Sequence, residues 1–320
     1  MRSKHIHVTI DLDRVRASAL AIRTRTGTAL IAVVKADAYG LGARRVADAL
    51  DDVADEFAYF SIDEAREIGR PGVVLGPLEA EPSAYSELRL RPALSNLRDA
   101  QRFSDTPFVL SVDSGMQRFG CNEVELGEIL RHCRVAEAYT HAADARAVAR
   151  FKSLCAGRIP RLHAAATSLI DDPATWLDAV RPGYALYRGA VRVHTHLHAI
   201  RHTSGPIGYS GFQHPQVGIL LAGYSNGLAP VSVRVNGRPQ RLIEAGMNSS
   251  FISIDPRDRP GDEVVLCGEG LDEAALGTEL RCRPHEILCR YCAMGVREYF
   301  GGRRSNSTSG VQTPELATSR

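Results

Sequence analysis

Charge of one sign is what this 320-residue chain most plainly lacks. Its 39 basic and 37 acidic side chains leave a formal net charge of +2. Nothing in that balance draws the whole molecule to nucleic acid or to an anionic membrane. The short runs Leu88-Arg89-Leu90-Arg91 and Gly302-Arg303-Arg304 read as solvated faces. No apolar run approaches the roughly 18 residues of a membrane span. Arg2 and Lys4 precede no hydrophobic stretch of the secretory kind. No internal repeat recurs. The seven cysteines (121, 133, 155, 267, 282, 289 and 292) are odd in number and scattered, and a chain this long needs no disulfide framework. Cys289-Arg290-Tyr291-Cys292 has no second pair at zinc-site spacing, so structural cysteines and no metal are expected. These absences predict a globular protein from a reducing, cytoplasmic setting.

What is present is an alternation. Short apolar runs are expected as strands at Val8–Ile10, Leu30–Val34, Ala58–Ser61, Val73–Gly76, Arg91–Leu94, Phe108–Asp113, Ala138–His141 and Arg161–Ala164. Helical periods fill the intervals, at Leu12–Arg23, residues 43–50, Ile62–Ile68, Asn96–Phe103, Glu123–Cys133 and Ala145–Cys155. That order predicts a parallel barrel or a doubly wound sheet. After about residue 200 glycine and proline become frequent and short β-like runs dominate, which predicts a separate all-β domain. From Gly301 the sequence is polar and reads as a disordered tail.

The chemistry concentrates at strand ends. Ile31-Ala32-Val33-Val34 leads into Lys35, followed by Tyr39, Gly40 and Gly42. A lysine at the carboxyl end of a barrel strand is either a solvated residue or a Schiff-base nucleophile. Val112-Asp113-Ser114-Gly115-Met116-Gln117-Arg118 places an arginine where a guanidinium fork meets carboxylates. Tyr139-Thr140-His141, Leu162-His163-Ala164-Ala165-Ala166-Thr167 and Val180-Arg181-Pro182-Gly183-Tyr184 end further strands. Downstream, Gly208-Tyr209-Ser210-Gly211, Gly223-Tyr224-Ser225-Asn226-Gly227 and Gly246-Met247-Asn248 read alone as turns.

In this order the motifs resemble those of the alanine racemases, fold-type III pyridoxal-phosphate enzymes. Residues 32–42 match the family's A-V-V-K-A-D-A-Y-G-H-G with Leu41 in place of the histidine, and Val180–Tyr187 matches V-R-P-G-I-A-L-Y. The resemblance runs from about residue 8 to residue 300. It implies a (β/α)8 TIM-like barrel over residues 1–200, whose first strand joins the β domain. A C-terminal all-β domain over 201–300 and a tail over 301–320 follow.

Further expectations rest on the same resemblance. Lys35 holds pyridoxal 5'-phosphate as a Schiff base. Tyr39, Thr167 and the backbone N–H groups of Gly183 and Tyr184 meet its phosphate, His141 sits near its ring, and Arg181 faces its pyridine nitrogen. A cation there disfavours protonation of that nitrogen and suits simple Cα proton exchange. Arg118, Met247 and Tyr224 bind a small amino-acid substrate. Tyr209 of the partner subunit is the second base, so a homodimer with shared sites is implied. The activity implied is the interconversion of L- and D-alanine. Alternatives are a racemase for a larger amino acid and a cofactor-binding relative without turnover. A decarboxylase or aldolase on a similar barrel is a further alternative, of which Arg181 disfavours the decarboxylase. The departures motivating these alternatives are Ser111, where many members carry a carbamylated lysine, Ala166, Asn248, His285 and Ala293. Tyr291 stands close to the last of these.

Overall fold

In the computed structural model, which describes residues 2–302, two units share one chain. Strands β2 (Ala29–Val33), β3 (Glu56–Tyr59), β4 (Gly72–Val74), β5 (Leu90–Leu94), β6 (Val109–Ser111), β7 (Glu137–Tyr139), β8 (Arg161–His163) and β9 (Ala179–Val180) form a closed parallel barrel. Closure is made by β2 on β9, with Leu30 opposite Val180. The sequence writes the helix boundaries between them. Asp11 caps Leu12–Thr26 by accepting from the Arg14 N–H at 2.9 Å, and Gly27 ends that helix at φ 63°. Asn122 and Glu125 make a reciprocal capping box on Glu123–His132.

The second unit is an eight-stranded sheet. β1 (Ser3–Asp11) belongs to it, together with β10 (Val191–His202), β11 (Gln216–Leu220), β12 (Val231–Val235), β13 (Arg238–Ala245), β14 (Ser250–Ile252), β15 (Glu263–Cys267) and β16 (Gly295–Phe300). Their order is β11-β14-β13-β12-β15-β10-β1-β16, and β10 also pairs with β11. β1 lies antiparallel to β10 and parallel to β16. The domain also carries two helices beyond the sequence expectation, Glu273–Glu279 and Pro284–Cys292. The second packs on the segment after Lys35: a Cβ added to Gly40 would stand 2.9 Å from Cβ of Cys292. The sequence-predicted tail from 303 onward lies outside the described residues. No helix among the described residues is long and apolar enough to cross a membrane.

The amino-terminal end of the barrel is closed by charge. Arg91 on β5 bridges Glu56 on β3 and Glu137 on β7, the latter at 2.9 Å. Arg161 on β8 reaches Glu56 at 2.7 Å and Glu137 at 3.1 Å. These strands are not all neighbours, so the side chains meet across the barrel axis. Glu137 is nearly inaccessible. Burial opposes its charge, but the contact with His163 and the charges of Arg91 and Arg161 hold its pKa down to about 2.

Removing the Glu137 carboxylate leaves Nε2 of His163 without its carboxylate and leaves Arg91 and Arg161 sharing Glu56 alone. We expect Glu137→Ala to lose about 3 kcal/mol in urea unfolding, as when one partner of a buried ion pair is removed. The pH dependence follows from the same groups. Burial and Arg181 lower the pKa of His163 to about 4 from an ordinary 6.5, so stability falls as pH drops through that interval. Glu137, depressed from 4.5 to about 2, stabilises fully above 4.5 and loses that contribution as pH falls toward 2. Glu137→Gln should flatten the loss below pH 4.5 in urea melts across pH.

Candidate active site

The carboxyl ends of the barrel strands converge on a cavity of about 640 Å³. Lys35, Tyr39, Ser111, Arg118, His141, Thr167, Arg181, Gly183 and Tyr184 line it. Ala166, His285 and Cys289 line it as well. The position of the cavity is that of barrel active sites generally, where the loops after the strands gather side chains from distant sequence.

Lys35 is half-buried and is one of three lysines in the chain; Lys4 and Lys152 are exposed. Burial, followed by the charges of Arg118 and Arg181, lowers its pKa against the pull of Glu64. The lysine is therefore more readily neutral, and more nucleophilic, than a surface one. Its backbone position is fixed by an unusual turn. Ala36, Asp37, Ala38 and Tyr39 have φ of 53°, 54°, 52° and 58°, a left-handed turn built without glycine. Each such residue costs about 1–2 kcal/mol. The Gly40 N–H donates to Ala36 O at 2.9 Å, and the Gly42 N–H to Asp37 O at 2.9 Å. The Asp37 carboxylate accepts from the Ala43 N–H at 2.7 Å and pairs with Arg297 on β16. Glu64 accepts from the Ala36 N–H at 2.8 Å.

At one end of the cavity lies a polar cradle. The Thr167 hydroxyl accepts from the Gly183 N–H at 3.2 Å and the Ala185 N–H at 3.1 Å. A Cβ on Gly183 would stand 2.2 Å from the Tyr39 hydroxyl, so only glycine fits there. Burial pushes the Tyr39 and Tyr184 phenols up to about 12, which keeps both as hydrogen-bond donors.

Arg181 lies at the other side and is fully enclosed. It donates to Thr140 O at 2.6 Å and to Nδ1 of His163, and stacks 4.6 Å from the Tyr139 ring centre. Because Nδ1 accepts from a guanidinium, the His163 proton sits on Nε2, which faces the Glu137 carboxylate at 3.1 Å. Burial lowers Arg181 to about 10, which still leaves it cationic at neutral pH. His141 is held neutral: burial, then Arg181, Arg118 and Lys35, lower it to about 4. Arg118 is exposed, its guanidinium 5.1 Å from the Phe119 ring, and among the described residues no carboxylate pairs with it.

Three sequence-predicted residues stand elsewhere. Tyr209, Tyr224 and Met247 do not line the cavity, and all three are exposed, Tyr209 at 88%. They cluster on the β domain. The Tyr224 N–H donates to Gly246 O at 2.8 Å and the Ser225 N–H to Met247 O at 3.0 Å. Glu244 accepts from the Tyr209 and Ser210 amides at 2.8 and 2.7 Å, fixing the turn that presents Tyr209. Tyr291 is buried in the core and Ala293 is exposed away from the cavity, so neither replaces the other there. Sequence reasoning missed Glu137, which stands one residue before the expected strand, and the tie from Asp37 to Arg297. It also missed Cys289, taken as structural but placed at the cavity wall. All seven cysteines are free. Among the described residues no group of three or more histidine, cysteine, aspartate or glutamate side chains is placed to hold a metal ion.

The turn after Lys35 makes a checkable prediction. Asp37→Ala removes the ion pair that ties the turn to Arg297 on β16, and the strained backbone then relaxes. Condensation of Lys35 with a soluble aldehyde, trapped by borohydride and read by peptide mapping, should fall toward the rate of Lys152.

Comparison with known proteins agrees with this geometry. The sequence model of the alanine racemase N-terminal domain matches residues 10–191. The alanine racemase of Nitrosomonas europaea is 30% identical over 81% of this chain and 88% of its own. That of Aeromonas hydrophila subsp. hydrophila is 28% identical, over 84% and 92%. Among solved structures, the biosynthetic alanine racemase of Pseudomonas aeruginosa superposes with a TM-score of 0.83 at 25% identity, covering 93% of this chain and all of that one. The alanine racemase of Bartonella henselae with covalently bound pyridoxal phosphate shares the fold at a TM-score of 0.84 and 23% identity, with the same coverage. The barrel with its strand-end lysine, the appended β domain and the sequence match together establish that this chain belongs to the alanine racemase family.

Proposed function

We propose that the protein is a pyridoxal-phosphate-dependent alanine racemase that moves the Cα proton between two faces of its substrate. The observation that carries this reading is Lys35, half-buried, set beside the polar cradle and within the field of Arg181.

The cavity fits the cofactor. Tyr39, the Thr167 hydroxyl and the backbone N–H groups of Gly183 and Tyr184 would offer donors for a phosphate, and Lys35 offers the amine for an aldehyde carbon. Arg181 would stand against the pyridine nitrogen, and His141 beside the ring. When bound, the cofactor supplies a conjugated ring that acidifies the substrate Cα–H. The residues do the rest. Arg181 stays charged and would disfavour protonation of a pyridine nitrogen set against it, which suits simple proton exchange at Cα. The Glu137–His163 pair holds Arg181 in place from behind. Arg118 would hold the substrate carboxylate, with Met247 of the partner subunit reaching the same site. Ser111 leaves Arg118 without a carbamate partner, so its grip is looser than in relatives that have one.

A racemase needs bases on opposite faces of the exchanging carbon. Lys35 Nζ is one. The other is Tyr209 of the partner subunit: in one protomer Tyr209, Tyr224 and Met247 form an exposed cluster apart from the cavity, as half-sites on a homodimer would. Neither the charge balance nor the cavity lining favours nucleic acid as a partner.

Purified protein should absorb as a lysine-bound pyridoxal phosphate, and Lys35→Ala should lose that band together with all racemisation. Tyr209→Phe should keep the band and lower kcat by about 10²- to 10⁴-fold, the usual value of a positioned acid–base group. Mixed after unfolding and refolding, the two inactive variants should regain activity, because a mixed dimer carries one intact site. Parent-like rates in Tyr209→Phe would overturn the two-base assignment. A panel of L-amino acids with chiral readout should show alanine as the preferred substrate.

A further inference from the structure

His285 has no role in the mechanism above, yet it opens the helix Pro284–Cys292 with its side chain at the cavity. Its ring stands edge-on to Tyr39, with centres 6.4 Å apart, and tilted toward Tyr184 at 6.5 Å. Of the two, the Tyr39 hydroxyl stands against Gly183 in the cradle, and Tyr184 lines the same cavity. The groups facing His285 from the barrel are Lys35, Tyr39 and Tyr184; from its own helix and the residue before it come Arg283, Glu286 and Cys289. Burial, with Arg283 and Lys35 acting against Glu286, lowers its pKa below the ordinary 6.5. The imidazole is therefore neutral at neutral pH in the free chain. A phosphate monoester is largely dianionic there, with its second pKa near 6.

We propose that His285 is a proton-responsive phosphate ligand, taking up one proton from solvent as a phosphate dianion binds beside Tyr39 and Tyr184. No covalent bond changes in this step. The inference rests on the pyridoxal-phosphate reading above and adds a residue that the family motif would fill with tyrosine. A tyrosine donates one neutral hydrogen bond. A histidine that charges on binding gives a charge-assisted one, and it makes cofactor retention depend on pH. As pH falls from 8.5 toward 6.5, affinity should rise, by at most about tenfold per unit, the limit for uptake of one proton.

The probe is pyridoxine 5'-phosphate, an alcohol that cannot condense with Lys35. It is titrated calorimetrically into the full-length chain stripped of cofactor, in two buffers of different ionisation enthalpy, so that proton uptake is read directly. The parent should take up more protons than His285→Gln near pH 7 and should show the steeper rise in affinity as pH falls. His285→Tyr should bind without that extra uptake. Equal uptake in parent and His285→Gln overturns the proposal. So does the same difference measured with pyridoxine, which lacks the phosphate. If pyridoxine 5'-phosphate binds to neither protein and Lys35 forms no cofactor band, the parent reading falls as well. Binding with an unchanged proton count removes only the role of His285.

Discussion

The ion pair between Asp37 and Arg297 is the constraint on which the site depends. Four consecutive residues after Lys35 lie in the left-handed region, where an L-residue other than glycine is disfavoured. Hydrogen bonds within the turn offset part of that cost. The rest is met from outside, by Arg297 on the last strand, by Glu64 from the next barrel unit, and by the helix that closes over Gly40. Strain held in this way is an aiming device. A right-handed continuation would carry Tyr39 away from Gly183, and the cradle would lose one wall. The β domain is thus more than an appendage, since it supplies the side chain that keeps the barrel's lysine loop in its costly form.

A second chain of contacts runs through the barrel. Glu137 closes the amino-terminal end, His163 spans the interior, and Arg181 reaches the catalytic end. The stacked rings of Tyr139 and His163, 5.6 Å apart and nearly parallel, fill the space around it. An arginine this deeply enclosed would lose its charge in an apolar site. It keeps the charge because a carbonyl, an imidazole and an aromatic face replace the water it gave up. The same arrangement fixes the tautomer of His163, so the charge at the cavity wall is fixed in place.

Much of this was legible in the sequence. Three expected helices, 43–50, Ile62–Ile68 and Ala145–Cys155, have the bounds found in the structure, because apolar periodicity and caps are local signals. The strand-end motifs gathered at one cavity for the same reason: each is written contiguously. What stayed hidden is non-local or has no composition signal. Ala36-Asp37-Ala38-Tyr39 carries no mark of positive φ, since alanine is the residue least expected there. Its tie to Arg297 spans 260 residues. Glu137 was lost because the expected strand began one residue later, at Ala138, where the apolar run starts. The helices Glu273–Glu279 and Pro284–Cys292 are short and lie among glycines and prolines, which mask their period. Gly208-Tyr209-Ser210-Gly211 reads alone as a turn, and the structure leaves Tyr209 exposed and apart from the cavity.

The parallel pairing of Ser3–Asp11 with Gly295–Phe300 has a consequence for synthesis. Strands so distant in sequence are slow to meet, since a long loop must close before they gain any contact. The barrel strands emerge from the ribosome while the first strand still lacks its parallel neighbour. Arg297 belongs to that late strand, so the loop after Lys35 is tied down only after β16 has been made. A truncated or half-made polypeptide would carry the lysine but not its strained setting. Synthesis of β16 therefore doubles as a checkpoint on the reactive amine.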